Sequence, residues 1–278
     1  MTADSQQKIE ILKLSDTNKK IKKPKYVKAV ADDVLLCHRV MAEMLRAERH
    51  YAPVSSNYMQ RVQTDITAGM RKTVTDWMLE VTEDQACAGQ VFLLAVHYLD
   101  RVLSVLRIQR SQLQLVAASV LFLASKLCEV QPLTVEKLVI YTDCSVSTQE
   151  LLSMEMKVLD QLSWELHELT SLDFLHVLTR QYSAPESVLR NAASFLSLAA
   201  TEYQFYSVRP SLMAGAAFLA ALQREGSSKV SCRIENLHSS LSSLIAAEQV
   251  KEAFHFISIL LFLKFNRLLK YRPILYIY

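Results

Sequence analysis

The sequence predicts an all-α protein: an N-terminal helix followed by two helical bundles in tandem, each of about five helices. Three observations lead there. The 278 residues include four glycines (Gly69, Gly89, Gly215, Gly226) and six prolines, which leaves few positive-φ positions or tight turns for a β-sandwich or a glycine-punctuated α/β fold. From Asp33 onward, apolar residues recur at helical spacing between short polar breaks. Finally, LVAASVLFLASK at Leu115–Lys126 overlays LMAGAAFLAALQ at Leu212–Gln223 without a gap, 97 residues further on. Both stretches are rich in small residues that let neighbouring helices approach closely, so each suits the centre of a bundle. A composition of 51% hydrophobic and 21% charged residues belongs to a folded chain and not to a disordered one.

Residues 1–30 hold the lysine run KKIKKPK at Lys19–Lys25 and almost no apolar periodicity, the pattern of a flexible basic tail. A solvated charge run accounts for it, and a short nuclear-localisation signal is the sharper reading. Breaks near Ala52–Pro53, Ala88–Gly89, Arg107–Gln109, Gln131–Pro132, Cys144–Ser147 and Ser163–Leu166 delimit the N-terminal helix and five further helices before Glu168. Leu169–Tyr182, Pro185–Tyr206, Arg209–Gln223 and a run from Ile234 to about Phe265 form the second set. The domains expected are therefore the tail at 1–30, the N-terminal helix and first bundle at 31–167, the second bundle at 168–257, and an atypical apolar C-terminal tail at 258–278. Phe254–Phe265 is strongly apolar, but His255, Ser258 and Lys264 leave it short of the roughly 20 residues a bilayer requires. It reads as a packed or interfacial helix, with no membrane partner.

Several function classes are excluded by what the chain carries. A net charge of +3, from basic residues scattered along amphipathic segments, gives no footprint for nucleic acid. The five cysteines (Cys37, Cys87, Cys128, Cys144, Cys232) are odd in number and include no CxxC pair, so neither a disulfide framework nor a metal site is expected and a reducing compartment fits. The first thirty residues hold no apolar core of a secretory signal. There is no Gly-rich phosphate loop, HExxH or GxSxG. No enzyme activity and no cofactor are expected.

The informative residues are charges where a helix facing a core would prefer leucine. Lys126 lies three and four residues after Leu123 and Phe122 and so continues their apolar stripe, and Glu155 shares a face with Leu151, Val158, Leu159 and Leu162. A charge buried alone is costly, so each needs a partner. A local partner such as Glu129, or simple preference of lysine for a helix C-terminus, accounts for this without any function. In the helix predicted over Met70–Val81, Val74, Trp77, Met78 and Val81 share one face, as in a core helix.

Taken in order, MRKTVTDWMLEV at Met70–Val81, YLDR at Tyr98–Arg101, LQLVAASVLFLASK at Leu113–Lys126, PLTVEKLVIYTD at Pro132–Asp143 and ELLSME at Glu150–Glu155 match in spacing and in their odd polar residues. On these motifs the chain resembles the cyclin family, closest to the D-type cyclins, over roughly Leu35–Phe254. The resemblance implies tandem cyclin-box bundles and a regulatory subunit that binds and activates a cyclin-dependent serine/threonine kinase to promote the G1/S transition, in nucleus and cytoplasm. It implies that Lys126 and Glu155 meet the kinase, with Leu127 and Val130 supplying apolar surface beside them. Only the first bundle would do so, because Gln223 overlays Lys126. It assigns Met70, Val74, Trp77, Glu80 and Gln114 to a patch that docks substrate segments carrying an arginine, a spacer and a leucine, with Thr73 in place of the usual aliphatic. Arg71 and Asp100 become a structural ion pair.

The partners implied are an early-G1 kinase catalytic subunit, retinoblastoma-family substrates and kinase inhibitor proteins. The alternative is a cyclin-fold interaction protein, of atypical, viral or transcription type, that binds partners without conventional kinase activation. Three features depart from the family. Leu35-Leu36-Cys37-His38-Arg39 has arginine where the retinoblastoma-docking segment has an acid, so that docking is not carried over. The acidic tail and phosphorylated degradation threonine have no counterpart. The stretch Ser258–Tyr278 is foreign to the group.

Overall fold

The structure is a computed structural model that describes residues 38–50 and 57–225. The basic tail, the Leu35–Cys37 segment, the helix predicted from Ile234, the tail at 258–278, Cys37 and Cys232 lie outside the described residues. Ten α-helices run through those residues, without a strand. They are α1 (His38–His50), α2 (Tyr58–Arg61), α3 (Ala68–Asp84), α4 (Gly89–Val105), α5 (Leu113–Cys128), α6 (Val135–Tyr141), α7 (Thr148–Gln161), α8 (Ser171–Gln181), α9 (Glu186–Thr201) and α10 (Pro210–Glu225). Short 3₁₀ turns at Arg110–Gln112 and Tyr203–Phe205 precede α5 and α10. The all-α class and the five helices predicted for the first set agree with the periodicity, α6 being short at seven residues. The single turn α2 has no periodicity to read and was not expected.

Polar residues start the helices. Thr67 accepts a hydrogen bond from the Met70 N–H at 3.3 Å, and Thr134 accepts one from the Lys137 N–H at 3.3 Å. Ser147 and Glu150 form a capping box at α7, the Glu150 carboxylate accepting from the Ser147 N–H at 2.9 Å while the Ser147 hydroxyl oxygen accepts from the Glu150 N–H at 3.2 Å.

The helix ends differ from what glycine scarcity suggested. Among the described residues, seven that are not glycine adopt positive φ. Four of them, Ala86, Asp143, Ser163 and Ser183, follow directly on the caps of α3, α6, α7 and α8. Each terminus closes by paired backbone bonds: at α7, Trp164 N–H donates to the Leu159 carbonyl at 3.1 Å and Ser163 N–H to the Asp160 carbonyl at 3.1 Å. These bonds satisfy carbonyls that the helix leaves open, which offsets the Cβ penalty of the left-handed conformation.

The described residues fall into two compact units, 57–166 and 38–50 with 167–225. In the first, α5 is the centre: every residue from Val116 to Ser125 is buried, against α4 on one side and α7 on another, with α3 also in contact. A helix surrounded in this way is apolar on all faces. In the second unit α10 has that role between α8 and α9. The two central helices begin and end at the same 97-residue offset as the sequence overlay. The helix α1, which precedes the first bundle in sequence, packs on α8 and α10. Its buried Glu48 accepts from the N–H and the hydroxyl of Ser211, both at 2.7 Å, in the first turn of α10, where negative charge is favoured.

Glycine at a left-handed cap removes the Cβ clash at the cost of some unfolded-chain entropy. Ala86→Gly should therefore stabilise the protein by about 1 kcal/mol, read as a higher Tm in thermal melting.

Candidate functional site

The contact between α5 and α7 brings together the two charges singled out in the sequence. Lys126 Nζ stands 2.5 Å from Glu155 Oε1, with the lysine side chain 40% exposed and the glutamate side chain 8% exposed. The ammonium also sits over the Phe122 ring, 4.1 Å from its centroid, which adds a cation–π attraction. Glu129, the local partner that spacing offered, is engaged elsewhere: its Oε1 accepts from the Ala88 N–H at 2.6 Å, at the N-cap of α4. The local pairing of Lys126 with Glu129 is therefore replaced by a bond between two helices distant in sequence.

Apolar side chains on these two helices and on the segments that follow them are exposed. Leu127 is 51% and Val130 71% exposed. Leu152 and Met156, one turn before Glu155 and directly after it, are also exposed, as is Trp164 beyond the end of α7. Five of the six large exposed apolar residues among those described thus belong to α5, α7 or the segments that follow them; the sixth, Val105, ends α4. Leu152, Met156 and Trp164 were missed from sequence. The available signal was that Leu152 and Met156 fall off the stripe of Leu151, Met154, Val158 and Leu159 that α7 buries.

The second group of residues lies along α3 and the start of α5, two helices in contact. Val74 is buried, Met70, Trp77 and Gln114 are half-buried, and Glu80 is exposed. Trp77 is not a fully enclosed core residue, unlike Met78 and Val81 on the same helix. Its indole N–H donates to the Tyr141 carbonyl at 3.2 Å, tying α3 to the end of α6. Thr73 turns its hydroxyl back onto the Gly69 carbonyl at 3.1 Å.

Arg71 and Asp100 form a buried fork between α3 and α4. Nε donates to Oδ1 and Nη2 to Oδ2, both at 2.7 Å, and the Tyr58 hydroxyl of α2 donates to Oδ1 at 2.7 Å. Burial works against the arginine's charge, but the facing Asp100 carboxylate outweighs it and holds the guanidinium pKa above its ordinary value. Bidentate geometry and a third donor are what make such a buried charge tolerable. No group of His, Cys, Asp and Glu that could hold a metal ion occurs among the described residues.

The chain matches the family described as cyclin, N-terminal domain, over residues 39–167 and cyclin, C-terminal domain, over residues 169–267. It is 45% identical to G1/S-specific cyclin-D1 of Danio rerio and 44% identical to that of Homo sapiens, over 200 residues, which is 70% of this chain and 68% of each relative. Among solved structures, a viral cyclin from herpesvirus saimiri superposes with a TM-score of 0.68 at 23% identity, covering 79% of this chain and 95% of that one. A chain of the yeast RNA Pol II CTD kinase CTDK-1 complex superposes with a TM-score of 0.53 at 16% identity, covering 77% and 69%. At these identities the structural likeness shows the fold.

The Arg71–Asp100 fork sets a stability test. Asp100→Ala strands a buried guanidinium and should cost about 3–5 kcal/mol, whereas Tyr58→Phe removes one neutral donor and should cost about 1 kcal/mol. Urea unfolding of the two variants reads the difference.

Proposed function

We propose that this chain, which belongs to the cyclin family, is a D-type-like cyclin: a regulatory subunit that binds a cyclin-dependent serine/threonine kinase and holds it in its active form at the G1/S transition. The single observation that carries the site is the Lys126–Glu155 pair standing among exposed apolar side chains. Leu127, Val130, Leu152, Met156 and Trp164 would be a solubility liability on a chain that worked alone. They fit an interface of the large, apolar kind, on the order of 2,000 Å².

Within that interface the ammonium of Lys126 retains donors beyond the one spent on Glu155. Fixed by its partner and by Phe122, it offers a preset donor and acceptor pair to the kinase. In the family, this pair engages the helix bearing the glutamate of the kinase lysine–glutamate ion pair, and so fixes that helix in its active position. The protein supplies no catalytic group of its own in this reading; the kinase does the chemistry.

The face of Met70, Val74, Trp77, Glu80 and Gln114 is assigned to substrate docking. The apolar residues of this face take the leucine of the docking segment, and Glu80 takes its arginine. Retinoblastoma-family proteins are the substrates this reading names, kinase inhibitor proteins its competing ligands, and nucleus and cytoplasm its compartments. The alternative of a cyclin-fold protein without kinase activation has no observation of its own behind it beyond the shared fold.

The test is phosphorylation of a retinoblastoma fragment by early-G1 kinase subunits mixed with this chain. Lys126→Ala alone leaves the Glu155 carboxylate nearly buried and uncompensated, so it confuses binding with stability. The Lys126→Ala/Glu155→Ala double variant removes both charges together and so leaves neither uncompensated. It should melt within a few degrees of wild type while losing kinase binding and activation. A folded double variant that still activates would remove the site assignment.

A further inference from the structure

A polar cluster that no function yet uses joins the end of α3 to the end of α6. The Tyr141 hydroxyl, at the last residue of α6, donates to Asp84 Oδ2 and accepts from Gln85 Nε2 at 2.7 Å, so it binds the last residue of α3 and its cap together. Lys137, one turn earlier on α6, donates to Gln85 Oε1 at 2.8 Å. The same Tyr141 presents its backbone carbonyl to the Trp77 indole. Tyr141 is half-buried; burial first, then the bond to Asp84, pushes its hydroxyl pKa well up, so it remains a protonated donor across the physiological range. The end of α3 is thus clamped to the end of α6 at the side chain, and Trp77 is clamped to α6 at the backbone, through one residue.

We propose that Tyr141 is a positioning residue for substrate docking: its hydroxyl, held by Asp84 and Gln85, fixes the carbonyl that orients the Trp77 ring. This rests on the assignment of Trp77 to the docking face. An aromatic platform held in one orientation loses less entropy when a segment settles on it. Released from the clamp, α6 retains its Thr134 cap and its packing, so the fold persists while the ring gains freedom.

The experiment uses the full chain bound to an early-G1 kinase subunit and two peptide substrates with the same phosphoacceptor, one carrying a distant arginine–spacer–leucine segment and one without it. For Tyr141→Phe, KM for the longer peptide should rise about threefold to tenfold, the scale of one or two lost hydrogen bonds, with kcat and the kinetics of the short peptide unchanged. Asp84→Ala should reproduce this effect, and Asp84→Asn, which retains an acceptor for the hydroxyl, should largely restore wild-type behaviour. If Trp77→Ala raises the KM of the longer peptide and Tyr141→Phe does not, the positioning role is overturned and the docking face stands. Equal losses on both peptides would overturn it in favour of a general structural role. If Trp77→Ala itself fails to separate the two peptides, the docking assignment falls and takes this inference with it.

Discussion

The first unit is organised by the demand that α5 be buried on nearly every side. A helix with ten consecutive residues out of water needs neighbours all round, and small side chains at Ala117, Ala118, Ser119 and Ala124 let them come close. The polar groups inside this arrangement are bonded: Ser119 donates to the Leu115 carbonyl at 2.8 Å, and the Ser125 hydroxyl oxygen accepts from the Leu133 N–H at 2.6 Å. The burial ends with the last turn of the helix, where Lys126 and Leu127 emerge. The candidate kinase surface is therefore placed by the core. Its key charge stands where the buried helix first meets solvent, with α7 alongside to supply the carboxylate.

Much of the fold could be read in advance because its signals are local. The helical period, the prolines and serines at breaks, and the gapless overlay of the two central helices depend on neighbours in sequence. What could not be read depends on contacts between distant segments. The spacing of α1 shows an amphipathic helix but not that Glu48 caps α10. Glu129 was the natural local partner for Lys126 until the chain brought Ala88 to it and Glu155 to the lysine. The left-handed caps at Ala86 and Ser163 were hidden because composition counts glycines, while the backbone answers to the hydrogen bonds available at each helix end.

The candidate site was legible to a similar depth. Charges inside apolar stripes marked Lys126 and Glu155 as residues in need of partners, and α5 and α7 pair them with each other. Nothing in the periodicity of α3 separated Trp77 from the core positions Val74, Met78 and Val81; its partial exposure and its bond to the Tyr141 carbonyl do. Arg71 and Asp100 read as family features in sequence. In the structure they and Tyr58 form one fork joining α2, α3 and α4. The fork anchors the helix that carries the proposed docking face without taking part in it.

The bond from Ala88 to Glu129 has a consequence for how binding could be observed. Glu129 sits in sequence between Lys126 of the proposed kinase surface and the exposed Val130, and it accepts from the amide of Ala88, the N-cap of α4, from across the unit. Solvent exchange at that amide requires the Glu129 carboxylate to swing away. A partner that stiffens Lys126–Val130 would slow deuterium uptake at Ala88 without touching it, so a single backbone proton reports occupancy of a surface built from another part of the chain.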